Sequence, residues 1–231
     1  RVGHAESPIE LAPIPAKQQS TTVHLERDFR GIPLAEKKAL VEGYNTILRS
    51  YHDKVIDSYC AYRDVFSRVT FANSEGSFVE EERPESVILG IAYTRDGDNV
   101  QQAYESEAGP YGFERVIGRE AMMEQVASRA VELLSAEPVV GGTYTVVIDP
   151  RLAGVFIHEA FGHLSEADFV YENPRAQEAM VLGRRFGQDI LTVFDDGSVA
   201  GLRGTHPYDD EGAPTGRTML IDKGILVGRL H

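Results

Sequence analysis

The chain has 231 residues and a formal net charge of −13, with 23 Lys and Arg against 36 Asp and Glu. That balance excludes nucleic acid as an expected partner, because phosphate binding needs clustered cations, and it suits a cytoplasmic protein kept soluble by self-repulsion. A single cysteine, Cys60, rules out an internal disulfide, and with no apolar run of about 18 residues no membrane-spanning helix is expected.

Residues 1–30 contain Pro8, Pro13 and Pro15 without usable periodicity, which predicts a linker or extended arm. Ile32-Pro33 opens a helix with proline in its first turn, and Leu40, Tyr44, Ile47, Leu48 and Tyr51 recur at helical spacing to give one apolar face. His52 follows as a solvent-facing histidine at the helix end. From Lys54 to Ala108 the period changes to two. Strands are predicted from Val55 to Tyr62, from Val65 to Phe71, through Phe78 and Val79, from Ser86 to Thr94, and from Val100 to Tyr104. Short turns at Asn73–Gly76 and Asp96-Gly97-Asp98 make the set an antiparallel meander. Glu80-Glu81-Glu82 reads as a solvated edge, and Cys60 as a buried small hydrophobe within a strand rather than a metal ligand.

A second helix is predicted from Arg119 to Ser135, with Met122, Val126, Ala130, Val131, Leu133 and Leu134 on its core side. Glu137-Pro138 ends it, and Gly141-Gly142 marks a domain boundary. Those glycines lack the third glycine and helix start of a dinucleotide fingerprint. Tyr144 to Ile148 then predicts a short buried strand, and Asp149-Pro150 caps the next helix.

That helix leads into His158-Glu159-Ala160-Phe161-Gly162-His163. Neutral imidazole is the commonest side-chain metal ligand, and a glutamate beside a metal site can act as general base. On a regular helix, positions i and i+4 lie about 40° apart around the axis but i and i+5 about 140° apart. His158 and His163 can therefore meet at one ion only through a wider π-type turn or through a helix that ends between them. Gly162 favours the second route, with His163 swinging back from a distorted end. The flanking Val155-Phe156-Ile157 and Leu164 would bury the site in an apolar shell, as they would any core helix. Glu166 and Asp168, just after His163, are either partners orienting an imidazole or the cap of the next segment.

Beyond Arg175–Gly187, read as helical or irregular, Ile190 to Leu230 is β-rich, with a hairpin at Asp222-Lys223-Gly224. His206 is read as a loop histidine. The chain opens on Arg1 and closes on an apolar strand, so it is expected to be a fragment lacking an N-terminal region and most of a C-terminal domain.

The run HEAFGHLSEADFV, together with Asp195-Asp196-Gly197, Arg203-Gly204 and Asp209-Asp210-Glu211-Gly212, resembles the TldD/PmbA family of zinc metallopeptidases. The resemblance runs from about Gly31 to the C-terminus. It implies Zn²⁺ held by His158 and His163, Glu159 as general base, and a third ligand, a cysteine, that nothing in this chain matches. It further implies peptide or unfolded-protein substrates and a homodimer or paired TldD/PmbA-type assembly. The competing expectation is a non-catalytic scaffold or modulator subunit with a structural histidine pair.

The fold expected is α+β. An arm (1–30) precedes a central domain (31–140) with an antiparallel meander and flanking helices. A metal-binding helix then leads into a truncated β-rich metallopeptidase domain (141–231).

Overall fold

The computed structural model describes residues 15–231, so the first part of the expected arm lies outside the described residues. The fold is α+β and divides into two compact units. Among the described residues no helix is long and apolar enough to cross a membrane.

The first unit holds residues 15–137 together with 201–203 and 208–214. Its sheet contains β1 (Gln18–Thr21), β2 (Val55–Ala72), β3 (Phe78–Asp96) and β4 (Asn99–Gly109). The five expected strands are therefore three long ones, and a further short strand, β1, lies inside the expected arm. β2 and β3 form one antiparallel ladder from Val55↔Thr94 to Ala72↔Phe78. β4 continues the meander against Ser86–Asp96 of β3, while β1 lies parallel to Phe78–Glu81 on that same edge. β1 has no local signature because its partner lies some 60 residues away.

This arrangement explains a proline inside a central strand. Pro84 lacks the N–H a ladder needs, and it falls in the gap between the β1 and β4 pairings, opposite Phe66 of β2. It also corrects the acidic edge. Glu81 is buried in the middle of the sheet and accepts from Arg83 Nε at 2.8 Å. Glu82 accepts from Arg68 and from the Val23 N–H, and those bonds hold its carboxyl below the usual range.

Two helices, α1 (Leu34–Ser50) and α2 (Glu120–Leu133), supply the core with the sheet. Tyr44 and Leu48 of α1, Met123, Val126, Ala127 and Ala130 of α2, and Ile88, Ala92 and Ala103 of the sheet form one buried cluster. Tyr51, expected on the apolar face, is exposed because α1 has already ended. The Tyr44 hydroxyl donates to Val116 O and accepts from Arg119 N–H, each at 2.9 Å, so its polar end is satisfied inside the core.

The second unit holds residues 138–200, 204–207 and 215–231. It contains the helices α3 (Pro150–Ile157), α4 (Ala167–Glu172) and α5 (Pro174–Ala179). A three-stranded antiparallel sheet follows, β5 (Val193–Asp196), β6 (Arg217–Asp222) and β7 (Ile225–Leu226). Phe161, Val170, Met180, Val193, Leu220, Ile221 and Leu226 make its core. The β6–β7 hairpin is the expected one: Lys223 and Gly224 both have positive φ, as its two-residue turn requires. The buried strand expected at Tyr144–Ile148 is absent. Residues 138–149 form no helix or strand and are exposed throughout. The β-branched and aromatic run Tyr144–Ile148 is that of a strand, but among the described residues no neighbouring strand closes the ladder.

Candidate metal centre

Asp149 opens α3 by accepting the Leu152 N–H at 2.9 Å, and Pro150 occupies its first turn, as expected. α3 stops at Ile157 without ending the helical path. A π turn over His158–Gly162 follows, in which the His163 N–H bonds to His158 O. That i→i+5 bond adds one residue to the turn, so His163 stands over His158 as a residue four along stands on a regular helix.

The two rings meet edge to face, with centroids 4.5 Å apart and planes at 69°. Ligand atoms of His158, Glu159 and His163 lie within 4.8 Å of one another, a cluster that among the described residues includes neither His206 nor Cys60. All three residues predicted for the site are thus brought together.

The route differs from the one Gly162 suggested. Its φ of −55° and ψ of −57° are ordinary right-handed helical values. A Cβ there would come no nearer than 3.8 Å to a neighbour. Glycine's freedom is not used. The turn is held instead from its other side, where Phe161 is 7% exposed in the core and meets Phe186 edge-on at 5.4 Å.

The expected apolar shell is not there either. His158, Glu159 and His163 are exposed, α3 buries none of its residues, and Leu152, Val155 and Phe156 are open. Only Ile157 and Phe161 turn inward to the core, because the segment before α3 covers nothing.

The imidazoles face a cleft of about 540 Å³, lined on one side by Ile157, His158, His163 and Glu166 and on the other by Thr192, Phe194 and Asp195. Glu166 accepts from His163 Nδ1 at 2.8 Å. Asp168 accepts the N–H of its neighbour Phe169 at 2.8 Å. Sequence reasoning did not find Thr192 or Phe194, and it reached Asp195 only as part of a family pattern. No spacing rule links β5 to a helix some thirty residues earlier. Asp209, from that same pattern, lies in a turn of the first unit, where it accepts the N–H groups of Glu211 and Ala213.

Two imidazole nitrogens are donors that suit zinc, whereas calcium and magnesium take oxygen cages. Cys60 belongs to β2 of the first unit, and burial pushes its thiol up to about 11, which disfavours the thiolate a metal needs.

Fold and site together describe a two-unit α+β protein with a histidine–glutamate cluster on a π turn, and sequence comparison gives its family. Residues 27–136 match the PmbA/TldA metallopeptidase central domain and residues 141–231 its C-terminal domain. The chain belongs to the PmbA/TldD metallopeptidase family. It is 44% identical over 222 residues to a metalloprotease of Synechocystis, a match covering 96% of this chain and 48% of that protein. It is 25% identical over 174 residues to a protein of Saccharolobus solfataricus named as a zinc metalloprotease TldD homolog, covering 71% of this chain and 37% of that one. A Thermotoga maritima crystal structure, described as a modulator of a DNA gyrase, shares the fold with a TM-score of 0.75 at 19% identity. That match covers 94% of this chain and 50% of the other. The chain spans about half the length of the curated relatives it matches.

Proposed function

We propose that the whole protein is a zinc-dependent peptidase in which His158 and His163 hold the metal and Glu159 is the general base. The observation that carries this reading is the π turn, which sets two imidazoles and a carboxylate within 4.8 Å of one another beside an open cleft. Zinc, when bound, polarises a substrate carbonyl and acidifies a water. The Glu159 carboxylate accepts the proton of the attacking water and passes it to the leaving amine. His158 and His163 supply neutral nitrogen ligands, and the substrate enters the cleft lined by the π turn and β5.

Catalytic zinc ordinarily has three protein ligands. On this reading the third is a cysteine outside this chain, as the family resemblance implies, so residues 1–231 alone bind zinc weakly and turn over no substrate. Residues 31–140 act as a central domain and 141–231 as the first part of the metallopeptidase domain. The substrates are peptides or unfolded proteins, handled in the cytoplasm by a homodimer or a paired TldD/PmbA-type assembly.

A second reading, a scaffold or modulator subunit with a structural histidine pair, draws on the two-imidazole count and on the description of the Thermotoga neighbour. Glu159→Gln in the full-length protein separates the two. Zinc content is expected to survive while peptide hydrolysis falls at least a hundredfold. Hydrolysis at the wild-type rate would favour the scaffold.

A further inference from the structure

We propose that Glu166 is the positioning residue of this site, fixing the His163 imidazole in the tautomer that leaves Nε2 free for the metal. The proposal deepens the zinc reading above and rests on it.

A carboxylate can only accept, so its 2.8 Å contact with His163 Nδ1 places the ring proton on Nδ1. In the neutral imidazole that a metal takes, the nitrogen left unprotonated is then Nε2, and the hydrogen bond made by one ring nitrogen decides which nitrogen takes the metal.

The backbone under Glu166 is clamped from both sides. Leu230 N–H donates to Ser165 O, and Ala167 N–H donates to Leu230 O, each at 2.8 Å, so Leu230 pairs with Glu166 as a parallel bridge. Ser165, fully buried, donates its hydroxyl to Phe161 O at 2.9 Å and ties the same stretch to the π turn. Two carboxylates follow His163 within five residues, but only one is built for this work. Glu166 makes no side-chain capping bond to α4. Its carboxylate is half exposed, beside the cleft and on His163. Asp168, by contrast, is occupied by the Phe169 N–H.

The test compares the full-length wild-type protein with its Glu166→Ala, Glu166→Gln and Asp168→Ala variants. In metal-free protein selectively ¹⁵N-labelled at histidine, the ring nitrogen shifts report the His163 tautomer. Competition with a chromophoric chelator then gives zinc affinity. Wild type is expected to show the Nδ1–H form, and Glu166→Ala to move towards Nε2–H while losing about 10- to 100-fold in zinc affinity. Glu166→Gln, whose amide oxygen still accepts from Nδ1–H, keeps the tautomer and recovers most of the affinity. Asp168→Ala matches wild type in both measurements. An unchanged tautomer or unchanged affinity in Glu166→Ala, with wild type binding zinc, overturns the role of Glu166 and leaves the zinc reading standing. Wild type that binds no zinc overturns both, and that result is seen before any Glu166 variant is measured.

Discussion

The buried hydroxyl of Ser165 donates to the carbonyl of Phe161 at 2.9 Å, joining the end of the π turn to the short 3₁₀ turn that carries His163. Carbonyls at a helix end lose their intrahelical partners, and here the side chain four residues on supplies the missing donor. Ser165→Ala leaves a buried acceptor unmet and is expected to cost about 1–3 kcal/mol, read as a lower urea midpoint. Zinc affinity should fall with it, because the turn that orients His163 is loosened. An unchanged midpoint would show that the hydroxyl does not hold this turn.

Gly162→Ala separates the two routes by which imidazoles five residues apart can converge. Gly162 has helical angles and room for a Cβ. Alanine in a helix is favoured over glycine by roughly 0.5–1 kcal/mol. The substitution should therefore leave zinc binding intact and raise the melting temperature slightly. Loss of both would mean that the turn depends on glycine after all.

The need for an irregular turn was legible, since a five-residue spacing cannot serve one ion on a regular helix. Which irregularity occurs was not, because the choice is made by Phe161 packing against residues from distant parts of the chain. The same division holds for the sheet. Period-two patterning located its residues, but Arg63-Asp64 read as a break, whereas the ladder runs straight through to Val87 and Ser86. Glu81 was misplaced for a related reason: a charge normally marks an edge, yet Arg83 lets this one sit inside. Tyr144–Ile148 and Val155-Phe156 were read as buried, because hydrophobicity records what a segment can bury and not whether a neighbour is present. Fold class and the nearness of His158, Glu159 and His163 were thus legible in local chemistry, while exposure and strand count came from tertiary pairing.

In the first unit, Gly90 lies where α2 approaches the sheet. A Cβ built there would stand 2.4 Å from Met123 Sδ, which is fully buried. Gly90→Ala overpacks this contact and is expected to cost about 1–3 kcal/mol. Met123→Ala removes the obstructing sulfur, so the double variant should be more stable than the sum of the two losses predicts. Chemical denaturation of the four proteins measures that coupling, and strict additivity would place the strain elsewhere.

Asp196 gives the β5–β6 sheet a defined acid sensitivity. The Ser198 hydroxyl, then the Ser198 N–H and the Arg217 guanidinium, hold its carboxyl below the ordinary aspartate value. A group whose folded pKa is depressed adds stability above its unfolded value, about 3.9, and loses it as pH falls through the lower folded value. Ser198→Ala removes the largest of these causes. Its urea midpoint should lie below wild type at neutral pH, and the gap should close as the medium is acidified past the folded pKa of Asp196. Arg217→Ala should act in the same direction, more weakly, because the Arg217 side chain is more than half exposed and its charge is screened by solvent. A deficit of constant size across the whole acid range would mean that Ser198 stabilises the turn by some means other than its bond to the ionised carboxylate.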